Sequence, residues 1–359
     1  MIRLKQYVLA FVTSLLFVSA ISGSASAEDK PKVIRIAVPG VGIGNRPVTG
    51  GSSASTMHLR GMLEEEFRAD GIEVRWNFIR AAGPGVNELY ANGLADFSLL
   101  GDLPSIIGKS GGLKTRILAA TGIRGGAYIA VPADSSIQKI EDLRGKRVAL
   151  FKGTNIQLAA NKILEPRGLK EKDVKFINMD TATMRAALVT KDIEAAFGGS
   201  DLLALRDQGV VRIIYTSRGD DPRYLRHASF VGHEDFIKKY PEITKRVVKT
   251  LVKAAKWLAD NEKNPTPVYQ LWAKSGVQFS SYKEDLKADN LKVLSSPLID
   301  PYFTSTYKWN IREAKRFGLI KNDIDFEKWV DTSFLNAALK ELGLEGFWKP
   351  IDESGKWQS

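Results

Sequence analysis

Between residues 38 and 58 the chain reads VPGVGIGNRPVTGGSSASTMH, in which Gly40, Gly42, Gly44, Gly50 and Gly51 alternate with Asn45, Arg46 and a run of hydroxyls. Glycines placed between a strand and a helix let backbone N–H groups approach an anion. A dinucleotide fingerprint is excluded by spacing: its glycines open the helix directly, whereas helical periodicity here starts only at Ser55 or Thr56, after Pro47. The stretch holds no Gly-Lys-Ser or Gly-Lys-Thr, which excludes a Walker loop as well. Gly42, Asn45 and Arg46 are the candidates of this stretch for contact with a ligand.

The same composition recurs wherever an apolar run gives way to a helical one: Gly83-Pro84, Gly101-Asp102, Lys152-Gly153-Thr154-Asn155 and Gly199-Ser200-Asp201. Helix starts expected at Ser55 or Thr56, Asn87, Thr154 and Ser200 would aim N–H groups and positive dipole ends at an oxyanion. Arg80, Arg124 and Lys152 end a strand or border a glycine and could add a guanidinium or ammonium contact. The bland alternative is that these residues turn the chain and cap helices. His58, His227 and His233 form no metal motif, the chain has no cysteine, and no Gly-x-Ser-x-Gly elbow occurs, so neither a metal site, a cofactor nor a nucleophilic set is expected.

These loops need elements to hold them. Val33 to Val38 reads as a strand, Met57 to Phe67 as a helix that Gly71 ends, and Ile72 to Phe78 alternates as a strand does. The unit repeats through strands at Asp96–Leu100, Ala127–Val131, Val148–Phe151, Val174–Ile177, Ala195–Phe197 and Arg212–Tyr215. Such alternation predicts mostly parallel sheets covered by helices. Extended segments at 127–131 and 228–232 predict two crossings between two α/β lobes, with a wholly helical region from Asp235. The expected organisation is a leader at 1–27, a first lobe at 28–126, a second at 127–227, a return and helical region at 228–335, and a tail at 336–359. A ligand crevice belongs at the carboxyl ends of the strands, between the lobes.

Arg3 and Lys5 precede an apolar segment ending in Ala25-Ser26-Ala27, the pattern of a cleavable secretory signal; a membrane anchor is the alternative. With no cysteine, the exported chain takes its stability from core burial and not from disulfides. Its net charge of +11 falls to +9 once Arg3 and Lys5 leave with the leader. The basic residues are spread along helices and not gathered into an arm, so no nucleic-acid partner is expected. The run from Lys238 to Lys256 and the Glu64-Glu65-Glu66 cluster read as solvated helix faces, and the tryptophans of the helical half as packing.

Four stretches together, IEDLRGKRVALFKGT, TMRAALVTKDIEAAFGG, DFIKKYPEITKRVVKTLVKAAKWLADN and RFGLIKNDIDFEKWVD, resemble the periplasmic binding proteins of ABC importers. The nearest branch is the nitrate, sulfonate and taurine group, and within it the aliphatic-sulfonate-binding proteins. The resemblance implies an α/β, two-lobed type II binding-protein fold, residence in the periplasm, and a monomer that hands a small anionic solute to the transmembrane subunits of an ABC permease. It implies a receptor and not an enzyme. Two features depart from the branch: Gly198-Gly199-Ser200-Asp201 stands where an aromatic-Asp-Pro segment is common, and Asn155 and Gln157 occupy a neighbourhood that often holds a histidine. The ligand therefore stays open among sulfonate, taurine or sulfate ester on one side and nitrate, a carboxylate or a neutral heteroaromatic compound on the other. A pyrimidine-precursor synthesis enzyme on the same scaffold is the remote alternative.

Overall fold

The computed structural model describes residues 30–357, so the leader read at 1–27 lies outside the described residues. From Pro31 onward the chain forms one compact unit. It first lays down β1 (Val33–Pro39), α1 (Ser53–Leu59), α2 (Met62–Phe67), β2 (Glu73–Ile79), α3 (Ala82–Ala91), β3 (Phe97–Gly101), α4 (Asp102–Ser110) and β4 (Thr115–Gly125). It then crosses into β5 (Tyr128–Pro132), β6 (Arg147–Leu150), α5 (Asn155–Leu164), β7 (Lys175–Asn178), α6 (Thr181–Thr190), β8 (Ala195–Gly198), α7 (Leu202–Asp207) and β9 (Val211–Thr216), and returns through β10 (Arg226–His233). Beyond β10 the chain is helical: α8 (Glu234–Lys239), α9 (Pro241–Asp260), α10 (Thr266–Trp272), α11 (Phe279–Asp285), α12 (Leu291–Leu294), α13 (Pro301–Arg316), α14 (Phe326–Trp329) and α15 (Ser333–Glu341).

Two five-stranded sheets result, ordered β2-β1-β3-β10-β4 and β7-β6-β8-β5-β9. In the first, β10 runs antiparallel to both neighbours while β1 pairs in parallel with β2 and β3. In the second, β5 plays the same inverted part between β8 and β9. The inverted strand in each sheet is the one that arrives from the other sheet. This is the α/β two-lobed binding-protein fold, with two crossings and a helical C-terminal region.

β4 has no alternating signature, because Ile117 to Thr121 are buried without a break and a strand covered on both faces reads as a continuous apolar run. α3 starts at Ala82, five residues before the expected Asn87. Gly83-Pro84-Gly85 resembles a turn, yet proline is tolerated in a first helical turn, and the glycines admit neighbours: a Cβ on Gly83 would lie 2.4 Å from Pro104 Cβ.

α9 buries Val247, Val248, Leu251, Val252 and Ala255 beneath the first sheet, as its spacing predicts. Its basic face is not simply solvated. Arg246 pairs with Glu66 and Asp70, Lys253 with Glu66, and Lys245 and Lys249 with Glu341. Of the acidic cluster, Glu64 accepts a hydrogen bond from Trp76 Nε1 at 2.9 Å, so only Glu65 keeps the solvated role read for all three. Trp272, Trp329 and Trp348 are buried, as packing requires. Among the described residues no helix is long and apolar enough to cross a membrane.

Candidate functional site

A cavity of about 670 Å³ opens between the two sheets. Its floor is made by strand termini and the turns that adjoin them, several of them at glycines. β3 ends at Gly101, β4 supplies Gly122 to Gly125, β8 ends at Gly198, and Arg226, His227 and Ala228 begin β10. α10, α11 and α12 close one side.

Of the residues expected to bind ligand, the cavity gathers Gly42, Gly83, Gly101, Arg124, Thr154, Asn155, Gly199, Ser200 and Asp201. Asn45 lines a shallower groove beside Arg75 and Trp76, and Arg46 is exposed, its guanidinium donating to the Lys274 carbonyl at 3.3 Å. Pro84 and Gly153 meet each other at the rim: a Cβ on Gly153, whose φ is +74°, would lie 2.8 Å from Pro84 Cγ. Lys152 is turned to Glu171, 3.3 Å away. Asp102 is buried beneath the floor, where its carboxylate accepts from Leu103 N at 2.7 Å, Asn310 Nδ2 at 3.0 Å and His227 N at 3.4 Å. Burial pushes its pKa up to about 6, opposed by nearby Lys162. Lys162 is in turn brought down to about 8, chiefly by burial.

The opening loop serves mainly to pack. A Cβ on Gly42 would fall 2.4 Å from the Ser275 carbonyl oxygen, and one on Gly50 2.3 Å from Tyr282 Oη. Positive φ occurs at Gly40, Gly44, Asn45 and Gly51, and not at Gly42. The hydroxyls cap and tie: Ser52 accepts from Ser55 N at 3.0 Å, and Ser53 bonds Thr121 at 2.7 Å. Thr154 Oγ1 donates to the Phe151 carbonyl at 2.7 Å.

Five arginines line the cavity against three aspartates. Arg80 pairs with Asp180 at 3.0 Å, Arg185 with Asp201 at 3.6 Å, and Arg218 with Asp285 at 2.9 Å. Arg124 and Arg226 have no carboxylate within ion-pair distance among the described residues. Arg226 donates to the Gly126 carbonyl, Nη2 at 2.6 Å and Nε at 3.0 Å, and lies 3.4 Å from Asn155 Oδ1. Burial lowers its pKa, which marks a charge short of a counter-ion. Arg124 Nη2 donates to the Gly355 carbonyl, and the guanidinium stacks on Tyr302 at 5.0 Å.

Beside Arg226 stands the first turn of α5, which no side chain caps, although Thr154 is in N-cap position. α3 also starts uncapped, at Ala82 with a φ of +52°. Ala82 and Arg124, at +59°, are both cavity residues in a conformation that non-glycine side chains resist, and such strain collects at functional sites. Two irregularities in the β10–β4 register, between Arg226 and Ser229, mark where bulges re-aim side chains.

Sequence reasoning missed Arg226, Arg185 and Arg218. A signal for Arg226 existed, since the return crossing is readable at 228–232 and the residue entering a crossing must face the crevice; the strand begins two residues earlier than its apolar pattern. Arg185 and Arg218 reach the cavity through tertiary packing that no local pattern carries. His227, read from the sequence only as part of no metal motif, is buried on β10 at the cavity. Among the described residues no group of acidic side chains and histidines could hold a metal ion.

Comparison with known proteins bears on the fold and on the class of protein. A Bacillus subtilis (strain 168) protein, whose name is that of an aliphatic sulfonates-binding protein, is 26% identical over 289 residues, which cover 79% of this chain and 83% of that protein. The crystal structure of the periplasmic sulfonate-binding protein SsuA of a sulfonate ABC transporter from Methylobacillus flagellatus KT is 31% identical, with a TM-score of 0.75 over 90% of this chain and 98% of that one. The desulfurization enzyme DSZB shares the scaffold at 16% identity and a TM-score of 0.62, over 86% of this chain and 99% of its own. The more similar proteins are substrate-binding proteins and not enzymes. Residues 67–265, more than half of the chain, match the family described as NMT1/THI5 like, and the protein belongs to that family.

Proposed function

We propose that the protein is the extracytoplasmic receptor of an ABC importer, that it captures an organic anion of the sulfonate class between its lobes, and that it delivers this solute unchanged to the permease. The observation that carries the reading is Arg226: a guanidinium in the cavity, lacking a carboxylate partner, beside the uncapped first turn of α5. A tetrahedral oxyanion offers what both lack, namely negative charge and acceptors on several sides. The sulfonate-binding names of the relatives support the same class.

The residues gathered around this point, Gly101, Thr154, Asn155, Gly199 and Ser200, form the head-group site in this reading, with Arg124 as a second cation. The segment 127–227 is the moving lobe. The leader at 1–27 directs the chain to the periplasm, where a monomer works.

Calorimetric titration with methanesulfonate, nitrate and acetate tests the head group. Sulfonate should bind and protect against heat, by about 2.7 kcal/mol at a ligand concentration 100 times Kd. Binding of acetate or nitrate with no response to any sulfonate would overturn the assignment. Recovery of the ligand chemically unchanged after long incubation separates a receptor from an enzyme.

A further inference from the structure

The charges of the cavity are used up in a way that restricts the rest of the ligand. Each aspartate on its wall already holds an arginine: Asp180 holds Arg80, Asp201 holds Arg185 and Asp285 holds Arg218. Asp285 also accepts from Tyr128 Oη at 2.6 Å. Among the described residues no carboxylate on the cavity wall is left over for an ammonium group, while two guanidiniums, Arg124 and Arg226, stand without carboxylates. A ligand with a positive tail would meet net positive charge and find no counter-ion.

One side of the cavity, the side contributed by the helical region, is apolar. Gly126, whose carbonyl takes both bonds from Arg226, sits against Asp285, whose Oδ1 lies 2.9 Å from the position of a Gly126 Cβ. Leu286 comes next in sequence, and with Leu258, Trp272, Val277, Leu291 and Leu294 it forms the wall that α9 to α12 contribute to the cavity. These side chains come from α9 to α12 and the turns between them and belong to one cluster, so the wall is built by the helical region as a unit. Tyr282 and Trp272 are packed together at 5.5 Å between ring centroids, and Gly50 lets the opening loop lie flat upon them. A cavity of about 670 Å³ is of the size that encloses a ligand of many heavy atoms, far more than a one-carbon or two-carbon sulfonate supplies.

We infer that the solute is a sulfonate with a bulky, uncharged hydrocarbon tail, of octyl or naphthyl size, seated against the Leu258–Trp272–Leu286–Leu291–Leu294 wall, and that the site selects against aminoalkanesulfonates such as taurine. This rests on the sulfonate reading of the Arg226 end, but it makes its own demands.

Titration of the wild-type protein with methane-, propane-, butane- and octanesulfonate, 2-naphthalenesulfonate, taurine and octanoate separates the two. Each added methylene should tighten binding about three- to fourfold, from about 0.8 kcal/mol per buried CH₂. Propanesulfonate should bind at least tenfold more tightly than taurine, which matches it in size and differs by the ammonium. Leu294→Asp should lower affinity for octanesulfonate at least tenfold more than for methanesulfonate. Equal affinity along the series, or taurine binding as well as propanesulfonate, overturns the tail assignment and leaves the sulfonate head group standing. Octanoate binding with no sulfonate response removes the head-group reading and keeps the apolar wall. Absence of binding by every probe removes both.

Discussion

Arg226 Nη1 lies 3.4 Å from Asn155 Oδ1, so the first residue of β10 meets the first residue of α5. β10 belongs to one sheet and α5 packs behind the other. The contact spans the cleft, and an anion bound there would be held by both lobes at once. Arg226→Ala should weaken sulfonate binding by about 3 kcal/mol or more, the range for stripping one partner from a desolvated charge pair. Arg226→Lys should restore part of it, since a point charge replaces a planar fork. Calorimetry checks both; wild-type affinity in Arg226→Ala would remove this residue from the site.

Two glycines stand where the segments on either side of the cavity approach most closely. A Cβ on Gly101 would lie 3.0 Å from Asn155 Nδ2 and 3.2 Å from Asn155 Cβ, and one on Gly153 would meet Pro84. Gly101→Val should prop the lobes apart, leaving the ligand-free fold intact and cutting affinity at least tenfold. Small-angle scattering should then show no compaction on adding ligand. A variant that still compacts and binds as the wild type does would show that the lobes close by another path.

Much of this arrangement is legible in the sequence because strand ends followed by glycine announce themselves. The loops at Gly83, Gly101, Thr154-Asn155 and Gly199 carry that signal, and the cavity collects them. Arg226 is not legible by type, since what sets it and Arg124 apart from the cavity's Arg80, Arg185 and Arg218 is the absence of a carboxylate partner, a property of three-dimensional packing. Asp102 misleads for the converse reason: it follows a strand-ending glycine as a ligand residue would, yet its partners Asn310 and His227 come from distant sequence and draw it beneath the floor. The glycines of the opening loop are close-approach residues, as their density suggests, but the closest approaches made by Gly42 and Gly50 are to α10, the turn after it and α11. No sequence pattern names the partner of a close approach.

That packing makes a prediction separable from binding. A side chain at Gly42 would strike the carbonyl oxygens of Ser275 and Val48, at 2.4 and 2.7 Å, and neither belongs to a flexible group. Gly42→Val should destabilise the ligand-free protein by about 2 kcal/mol or more, as overpacking against fixed backbone does. Thr154→Ala gives up one hydrogen bond to the Phe151 carbonyl and should cost less, about 1 kcal/mol. Urea denaturation distinguishes them; a Gly42→Val protein as stable as wild type would return the glycine to a role at the ligand.

Arg80 and Asp180 pair at 3.0 Å between the end of β2 and the cap of α6, one side chain from each lobe. The arginine is 57% exposed, so the pair stabilises the closed form by no more than about 1 kcal/mol and is screened by salt. Arg80→Gln should speed ligand release a few-fold in stopped-flow displacement at low ionic strength, and the difference should vanish in high salt. Release unchanged at low salt would mean that the pair forms in both states.

The last prediction concerns pH. Burial, with Lys162 and Arg124 nearby, holds the pKa of His227 down to about 3 from an ordinary 6.5, so the unfolded chain takes up a proton that the folded chain refuses. The stability contributed by a neutral His227 is fully present above pH 6.5 and is lost as pH falls toward 3, at up to about 1.4 kcal/mol per pH unit. Asp102 acts in the opposite sense. Its carboxyl, raised to about 6 from 3.8, binds a proton more readily when folded, so falling pH stabilises the fold between 6 and 3.8. The two should nearly cancel between pH 6 and 4 in the wild type, and each variant should expose the other. His227→Phe should gain about 2 kcal/mol on the wild type between pH 8 and 5, at about 1.4 kcal/mol per pH unit below 6.5, whereas Asp102→Asn should lose stability more steeply with acid than the wild type does. Urea titrations of the ligand-free proteins at pH 8, 6 and 5 measure this directly, and parallel curves for all three would mean that neither group keeps its shifted pKa in solution.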